Sequence, residues 1–382
     1  MTTKKKLGYL VGIMLLLIIA GGFIVNIYTK SKDSNINQNQ NHNQKQDQDY
    51  SQNKNTLQVV TTFYPMYIIA ENLFDQMEGV TVTNLTDFNA GCAHDYQLTT
   101  DNMKILATAD IIIVNGGGLE GFLEDVIANF PNLTIIDSSD NIPMLAYDEV
   151  DHNHEVVAND GHEDEHSNIE EHMEHDEVDV HNEESYEHDS HDGHDHGEYN
   201  SHIWLDPTIY VKQIQNIQNG ILNYLKESIT GNELDTLVID ELTTKLEENS
   251  NSYINKVLEL DQRLEELSDT KPDDNIGVAI FHDTFAYLAK RLGLQIEYMI
   301  EVDSESALSA KDIKNIIDLI RVGKIQYLFA ENQYGEMVTE RIQGETEVEV
   351  FVMDPVIIGD GSKDSYINAM EANIQLLEEV LQ

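Results

Sequence analysis

The order in which short apolar segments and amphipathic segments follow one another constrains the fold of this chain more than any other feature. Residues 57–136 and residues 276–381 both alternate short apolar runs with segments of helical periodicity. Such alternation predicts parallel sheets with helices on their faces. Between the two halves, residues 233–268 carry leucine and isoleucine at helical spacing with hardly a breaker, which predicts a stiff connector. The predicted fold is α/β, with two Rossmann-like lobes on parallel sheets joined by a long rigid helix.

The domain boundaries follow from these patterns and from two segments of unusual composition. In chain order we predict an N-terminal membrane anchor or signal segment (1–30), a disordered tether rich in Asn and Gln (31–56), the first lobe (57–147), a disordered insert rich in His, Asp and Glu (148–200), the end of the first lobe (201–232), the linking helix (233–268) and the second lobe (269–382). Inside the lobes, the patterns predict a strand over residues 111–114 and helices over residues 119–129, 284–292, 336–342 and 364–381, among others.

The N-terminal segment has the pattern of a membrane anchor. Lys4, Lys5 and Lys6 precede residues 7–29, which carry no charged side chain. About 20 apolar residues span a bilayer, and the lysines favour an inside position for the N-terminus. The chain is therefore predicted to lie outside the cytoplasm, tethered to the outer face of the cell membrane. The alternative is a cleaved signal, because residues 20–22 are small enough for a signal peptidase.

The insert at 148–200 explains much of the charge of the chain. The formal net charge is −48. The insert holds 21 acidic residues and 11 of the 15 histidines, and it has no Lys or Arg. Such an acidic chain repels phosphate backbones, which excludes nucleic acid as a partner. The insert cannot form a core, but its mixed imidazole and carboxylate groups would bind zinc weakly.

The remaining histidines point to a metal site. With one cysteine, Cys92, the chain can form neither an internal disulfide nor a thiolate cluster. Outside the insert and the tether only His94, His202 and His282 remain, and each adjoins a predicted strand end or a return to ordered chain. Ligands of open α/β folds bind at such edges. We therefore expect a metal in the cleft between the lobes, and three imidazoles favour Zn²⁺.

A tetrahedral zinc site needs a fourth ligand. Asp354 is the candidate because it follows the last predicted strand of the second lobe, and Cys92 is its rival. Asp95 and Asp283 each adjoin a predicted ligand histidine, so we expect them to orient imidazole rings.

One motif suggests a different ligand. Gly116, Gly118 and Gly121 follow a predicted strand with the spacing of a dinucleotide fingerprint, and Asp137 ends the next strand. Against this interpretation, the strand is the third of its lobe, and Glu120 lies where a pyrophosphate would bind. We expect a glycine turn without a bound cofactor.

Taken together, the motifs resemble those of the substrate-binding proteins of zinc-type metal ABC transporters, also called cluster A-I or solute-binding protein family 9. The resemblance covers nearly all of residues 57–382. It rests on TFYP at 62–65, the His94-Asp-Tyr loop, NGGGLE at 115–120, the histidine-rich insert, His202-Ile-Trp, Phe281-His282 and Asp354-Pro355. One departure is Ala93, where the family often has proline before the first ligand.

The resemblance implies a function. His94, His202 and His282 match the three histidine ligands of the family, and Asp354 matches the aspartate version of a fourth position that is glutamate or water in other relatives. Manganese-type relatives carry a carboxylate at the place of His282, which favours zinc here. The expected protein is a monomeric, non-enzymatic receptor that delivers Zn²⁺ to an ABC permease and its ATPase. The alternatives are a receptor for manganese or another divalent metal, an adhesin or zinc store, and a zinc-dependent hydrolase; no HExxH motif supports the last.

Overall fold

Two four-stranded parallel sheets of the same strand order organise the chain. The computed structural model describes residues 56–91, 96–146, 199–230, 236–271, 275–281, 283–300, 310–331 and 342–381. The first sheet contains β1 (Leu57–Thr61), β2 (Val80–Asn84), β3 (Ile111–Val114) and β4 (Thr134–Asp137) in the order β2-β1-β3-β4. The second contains β5 (Gly277–Phe281), β6 (Gln295–Ile300), β7 (Tyr327–Glu331) and β8 (Glu349–Met353) in the order β6-β5-β7-β8. The prediction of two parallel-sheet lobes is confirmed.

The helices connect the strands and join the lobes. They are α1 (Tyr64–Leu73), α2 (Thr100–Leu106), α3 (Glu124–Ile127), α4 (Pro207–Thr230), α5 (Thr236–Thr270), α6 (Ala286–Arg291), α7 (Ala310–Arg321) and α8 (Ser365–Leu381). Short 3₁₀ turns cover Gly121–Leu123, Ile203–Leu205 and Asp283–Phe285. No helix in these described ranges is both long and apolar enough to cross a membrane. The predicted anchor at 7–29 lies outside the described residues.

The linking helix α5 spans 35 residues, so it is roughly 50 Å long. Its buried face recurs at helical spacing through Tyr253, Val257, Leu260, Leu264 and Leu267. Polar side chains bind this helix to both lobes. Asn249 donates to the carbonyl oxygens that end α1, Asp261 pairs with Arg291 at the end of α6, and Arg263 pairs with Glu378 on α8.

One apolar core runs through both lobes. It includes Val59 from the first sheet and Ile280 from the second, together with the buried faces of α4 and α5. The opposite face of each sheet has its own smaller cluster, with Leu106 of α2 in the first lobe and Ile316 of α7 in the second. Each sheet is thus covered on both faces, which is why strands such as β3 read as continuous apolar runs.

Two predicted helices are shorter in the structure, and a third cannot be compared. Residues 119–129 form only the 3₁₀ turn and the single-turn helix α3, and the Glu120 side chain binds backbone amides of the preceding turn. The helix predicted over 284–292 begins as a 3₁₀ turn and becomes α-helical at Ala286. Most of the helix predicted over 336–342 lies outside the described residues.

Candidate metal centre

The structure describes two of the four predicted ligands. His202 and Asp354 lie in the described part, whereas His94 and His282, together with the rival ligand Cys92, lie outside it. Among the described residues, no three His, Cys, Asp or Glu side chains are grouped so as to hold a metal ion. The complete ligand set therefore stays a prediction, and the structure shows the surroundings of His202 and Asp354.

His202 is held at one ring nitrogen. Its side chain is 1% exposed, and the 3₁₀ turn Ile203–Leu205 follows it directly. Its backbone N–H donates to Asn200 Oδ1 at 2.8 Å. Nδ1 lies 3.2 Å from Asn200 Oδ1 and 3.2 Å from Asp283 Oδ1. Asn200 Oδ1 can accept a hydrogen bond from Nδ1 and the Asp283 carboxylate lies beside it, so the ring proton is assigned to Nδ1 and Nε2 carries the lone pair, as in histidines that bind metals.

Asp283 lies beside His202, a predicted ligand that is distant from it in sequence. It was expected to orient a histidine because it follows His282. The structure places its buried carboxylate beside His202, on a segment more than 80 residues away and attached to the first lobe. Asp95, the other expected orienting residue, lies outside the described residues.

Asn200 connects the two lobes beside this ring, and the sequence reasoning missed it. Its backbone N–H donates to Leu145 O at 2.8 Å in the first lobe. Its Nδ2 donates to Asp283 O at 2.8 Å, and its carbonyl accepts from Tyr287 Oη at 2.8 Å, both in the second lobe. The signal was its position two residues before His202, at the end of the predicted insert. Directly before it, Tyr199 pairs with Ala146 in an antiparallel bridge.

Trp204 brings the loop of Asp354 to the segment of His202. The Trp204 ring lies 5.1 Å from the His202 ring, centroid to centroid. Its Nε1 donates to Pro355 O at 2.9 Å. Pro355 directly follows Asp354, so one buried tryptophan contacts the neighbourhoods of both described ligands.

The backbone of Asp354 is fixed from α8. Asn373 Oδ1 accepts from the Asp354 N–H at 2.9 Å, and Asn373 Nδ2 donates to the Asp354 carbonyl at 2.8 Å. Burial raises the pKa of Asp354, although the bond from the Val356 N–H to Oδ1 opposes this shift. A bound cation would favour the ionised carboxylate and so offset the cost of its burial.

The segment after His94 is anchored at the carboxyl end of β2. Tyr96 Oη lies 3.0 Å from Asn102 Oδ1, and Asn102 Nδ2 donates to Leu85 O at 2.6 Å. The Tyr96 ring also packs edge-on against Phe122. The chain thus leaves the predicted ligand loop at a fixed point beside the ends of the strands, where ligands of open α/β sheets bind.

The glycine turn after β3 binds a carboxylate of the chain itself. Glu120 accepts from the N–H groups of Asn115 (2.7 Å) and Gly116 (3.0 Å) and from Thr62 Oγ1 (2.7 Å). A Cβ at Gly116 would overlap the Asp137 side chain, which explains the glycine. Because Glu120 occupies two amides that a pyrophosphate would need, this turn does not have the arrangement of a dinucleotide site.

Two α/β lobes of the same strand order, joined by one long helix, have the architecture of a two-lobed solute-binding protein. The family model for the periplasmic component A of zinc-uptake complexes, ZnuA, matches residues 59–380. The chain belongs to this family, and it is accordingly a solute-binding component and not an enzyme.

Individual relatives are distant. The chain is 24% identical over 322 residues to the high-affinity zinc uptake system protein ZnuA of Yersinia pestis, covering 83% of this chain and 88% of that protein. It is 24% identical over 330 residues to the zinc-binding protein AdcA of Streptococcus pyogenes, covering 84% of this chain but only 55% of that longer protein. Among solved structures, the solute-binding protein FpvC of Pseudomonas aeruginosa with Mn²⁺ superimposes with a TM-score of 0.62 at 18% identity, covering 86% and 98% of the two chains. At that identity the likeness concerns the fold alone.

Proposed function

We propose that this extracytoplasmic component captures Zn²⁺ between its lobes with His94, His202, His282 and Asp354 and delivers the ion to the permease and ATPase of an ABC importer. Family membership supports the transport role. The observation that carries the site is the meeting of Asn200 and Asp283, from the two lobes, on one ring nitrogen of His202. With the ring proton on Nδ1, Nε2 is the nitrogen that would bind the ion.

The choice of zinc rests on ligand chemistry. Three imidazoles and one carboxylate form a set that zinc accepts readily, whereas manganese sites recruit more oxygen ligands. The fold alone does not select the metal, since the neighbour from Pseudomonas aeruginosa holds Mn²⁺. A competition titration of the full chain tests the choice. We expect Zn²⁺ to displace Mn²⁺, and tighter binding of Mn²⁺ would contradict the proposal.

The fourth ligand can be assigned by two substitutions. We expect Asp354→Asn to weaken zinc binding at least about tenfold, because a ligating carboxylate is lost. Cys92→Ser is the matched control and should leave the affinity unchanged. The opposite pattern would assign the position to Cys92, and unchanged affinity in both variants would assign it to water.

The remaining parts of the proposal concern the membrane tether and the histidine-rich insert. We propose that residues 1–30 tether a monomer to the outer face of the membrane and that the insert at 148–200 binds zinc weakly and exchangeably, because ordering such a segment costs entropy.

Growth in chelator-treated medium tests the transport role. Deleting this chain and deleting the partner permease should cause the same zinc requirement, whereas an adhesin or a zinc store would not depend on the permease.

A further inference from the structure

Each lobe contains a buried threonine–glutamate pair at the same place in its sheet. Thr62 Oγ1 donates to Glu120 Oε1 at 2.7 Å in the first lobe, and Thr284 Oγ1 donates to Glu331 Oε1 at 2.7 Å in the second. All four side chains are buried, with Glu120 the most exposed at 9%. Thr62 follows β1 and Glu120 follows β3, while Thr284 follows β5 and Glu331 ends β7.

The two pairs join corresponding strands because the two sheets have the same strand order, although Glu120 lies six residues beyond β3 whereas Glu331 is the last residue of β7. In each sheet, the pair joins the carboxyl ends of the two central strands. Between these two strands lies the switch point, because the strand that follows the first of them in the chain lies on one side of it and the later strands lie on the other side. Open α/β sheets bind their ligands at this switch point. A pair that recurs there in both lobes is therefore placed to act on the bound ligand.

In the first lobe, hydrogen bonds lead from Glu120 to the segment of His202. Glu120 accepts from the backbone N–H of Asn115, and Asn115 Nδ2 donates to Ser201 O at 2.9 Å. Ser201 immediately precedes His202. On its other side, Asn115 Oδ1 accepts from Gln213 Nε2 at 3.0 Å, so the Asn115 side chain has a defined orientation.

In the second lobe, the contacts lead to the ring itself. Thr284 follows Asp283, and both belong to the 3₁₀ turn Asp283–Phe285. By binding Thr284, Glu331 fixes the turn from which the Asp283 carboxylate approaches His202 Nδ1 at 3.2 Å. The contacts of the two pairs thus lead to the same histidine, His202, one from each lobe.

Stability alone is a weak reason for these carboxylates. Buried charged groups are costly, and well-packed apolar replacements are often neutral or stabilising. Hydrogen-bonded groups around a metal-ligating histidine, in contrast, set its ring angle and tautomer. We propose that Glu120 and Glu331, each with its threonine, are positioning residues that hold His202 from the two lobes for metal capture, an inference that rests on the proposed function.

The test uses matched substitutions in the full chain. Thr62→Val and Thr284→Val remove only the hydroxyl, whereas Thr62→Ser and Thr284→Ser keep it. In a competitive zinc titration we expect each Val variant to bind about tenfold more weakly and each Ser variant to bind within about twofold of the parent. Val variants that bind as tightly as the Ser variants would overturn the inference.

A control separates positioning from general destabilisation. Ser250→Ala removes a buried bond to Gln218 between α4 and α5. It should lower the melting temperature without weakening zinc binding. Equal loss of affinity in Ser250→Ala and Thr284→Val would mean that any buried defect weakens binding, which would contradict a positioning role.

A measurement without metal keeps the two proposals distinguishable. In the apo protein, ¹⁵N spectra of the His202 ring, assigned by difference from His202→Gln, should show the proton on Nδ1. We expect Thr284→Val to lose this tautomer preference and Thr284→Ser to keep it. If the parent chain binds no zinc, the proposed function fails. If the parent binds zinc and the His202 signals are the same in both variants, only the positioning inference fails.

Discussion

The buried carboxyl group of Glu120 should make the protein less stable as the pH rises, which is the opposite of the usual effect of a carboxyl group. Burial raises the pKa of Glu120 from 4.5 to about 7, although its bonds from Thr62, Asn115 and Gly116 lower it. Between these two values the folded protein holds a proton that the unfolded chain has released. Stability linked to this group is therefore fully present below pH 4.5 and is lost as the pH rises through about 7.

The magnitude follows from the size of this pKa difference. Each pKa unit corresponds to about 1.4 kcal/mol, so a rise from 4.5 to about 7 corresponds to about 3 kcal/mol. Glu120→Gln cannot ionise, and it also places an amide donor near the N–H of Gly116. That second effect lowers stability at every pH and does not change the pH dependence.

Urea unfolding of the parent and of Glu120→Gln between pH 5 and pH 8 provides the assay. We expect the parent to lose about 3 kcal/mol relative to the variant across this range. Other carboxylates titrate in both proteins, so their contributions cancel in the comparison. Two stability curves that run parallel from pH 5 to pH 8, or a parent that gains stability relative to the variant, would refute the reasoning.

Three further predictions concern the site and the contact between the lobes. Zinc affinity should fall as the pH drops through about 6.5, because each imidazole must be neutral to bind the ion, and a pH-independent titration would contradict this. Gly359→Ala should destabilise the protein by about 1–3 kcal/mol in urea unfolding, because the new Cβ would overlap the Tyr64 hydroxyl; unchanged stability would show that this contact can relax. Trp204→Phe leaves the Pro355 carbonyl without its hydrogen-bond donor. We therefore expect the free energy of unfolding in urea to fall by about 1–3 kcal/mol and zinc binding to weaken. Unchanged zinc binding would show that Trp204 does not contribute to the site.

Much of the fold could be predicted because the decisive signals are local. Residues 111–114 were predicted as a strand and form β3 with the same bounds, since four consecutive apolar β-branched residues suit a buried parallel strand. The α8 helix and the long α5 helix were also predicted to within a few residues, because their apolar spacing is regular. The helix predicted over 119–129 is shorter in the structure, where a 3₁₀ turn precedes α3, because apolar periodicity does not distinguish such a turn from an α-helix.

The site was less predictable because its contacts join residues distant in sequence. His202 could be singled out, since few histidines occur outside the insert and the tether. Asn200 and Glu331 were not singled out, because their partners lie 83 and 47 residues away along the chain. Sequence adjacency singled out Asp283, but only the packing of the lobes shows that its carboxylate lies beside His202.

The most direct test of a zinc site between the lobes is a competitive zinc titration of three proteins. They are the parent chain, a variant lacking residues 148–198, and the full-length variant that combines His94→Ala, His202→Ala and His282→Ala. We expect the deletion variant still to bind one zinc ion tightly and the triple variant to retain only the weak sites of the insert. Loss of tight binding in the deletion variant, with tight binding kept in the triple variant, would contradict this expectation and make the chain a histidine-rich zinc buffer.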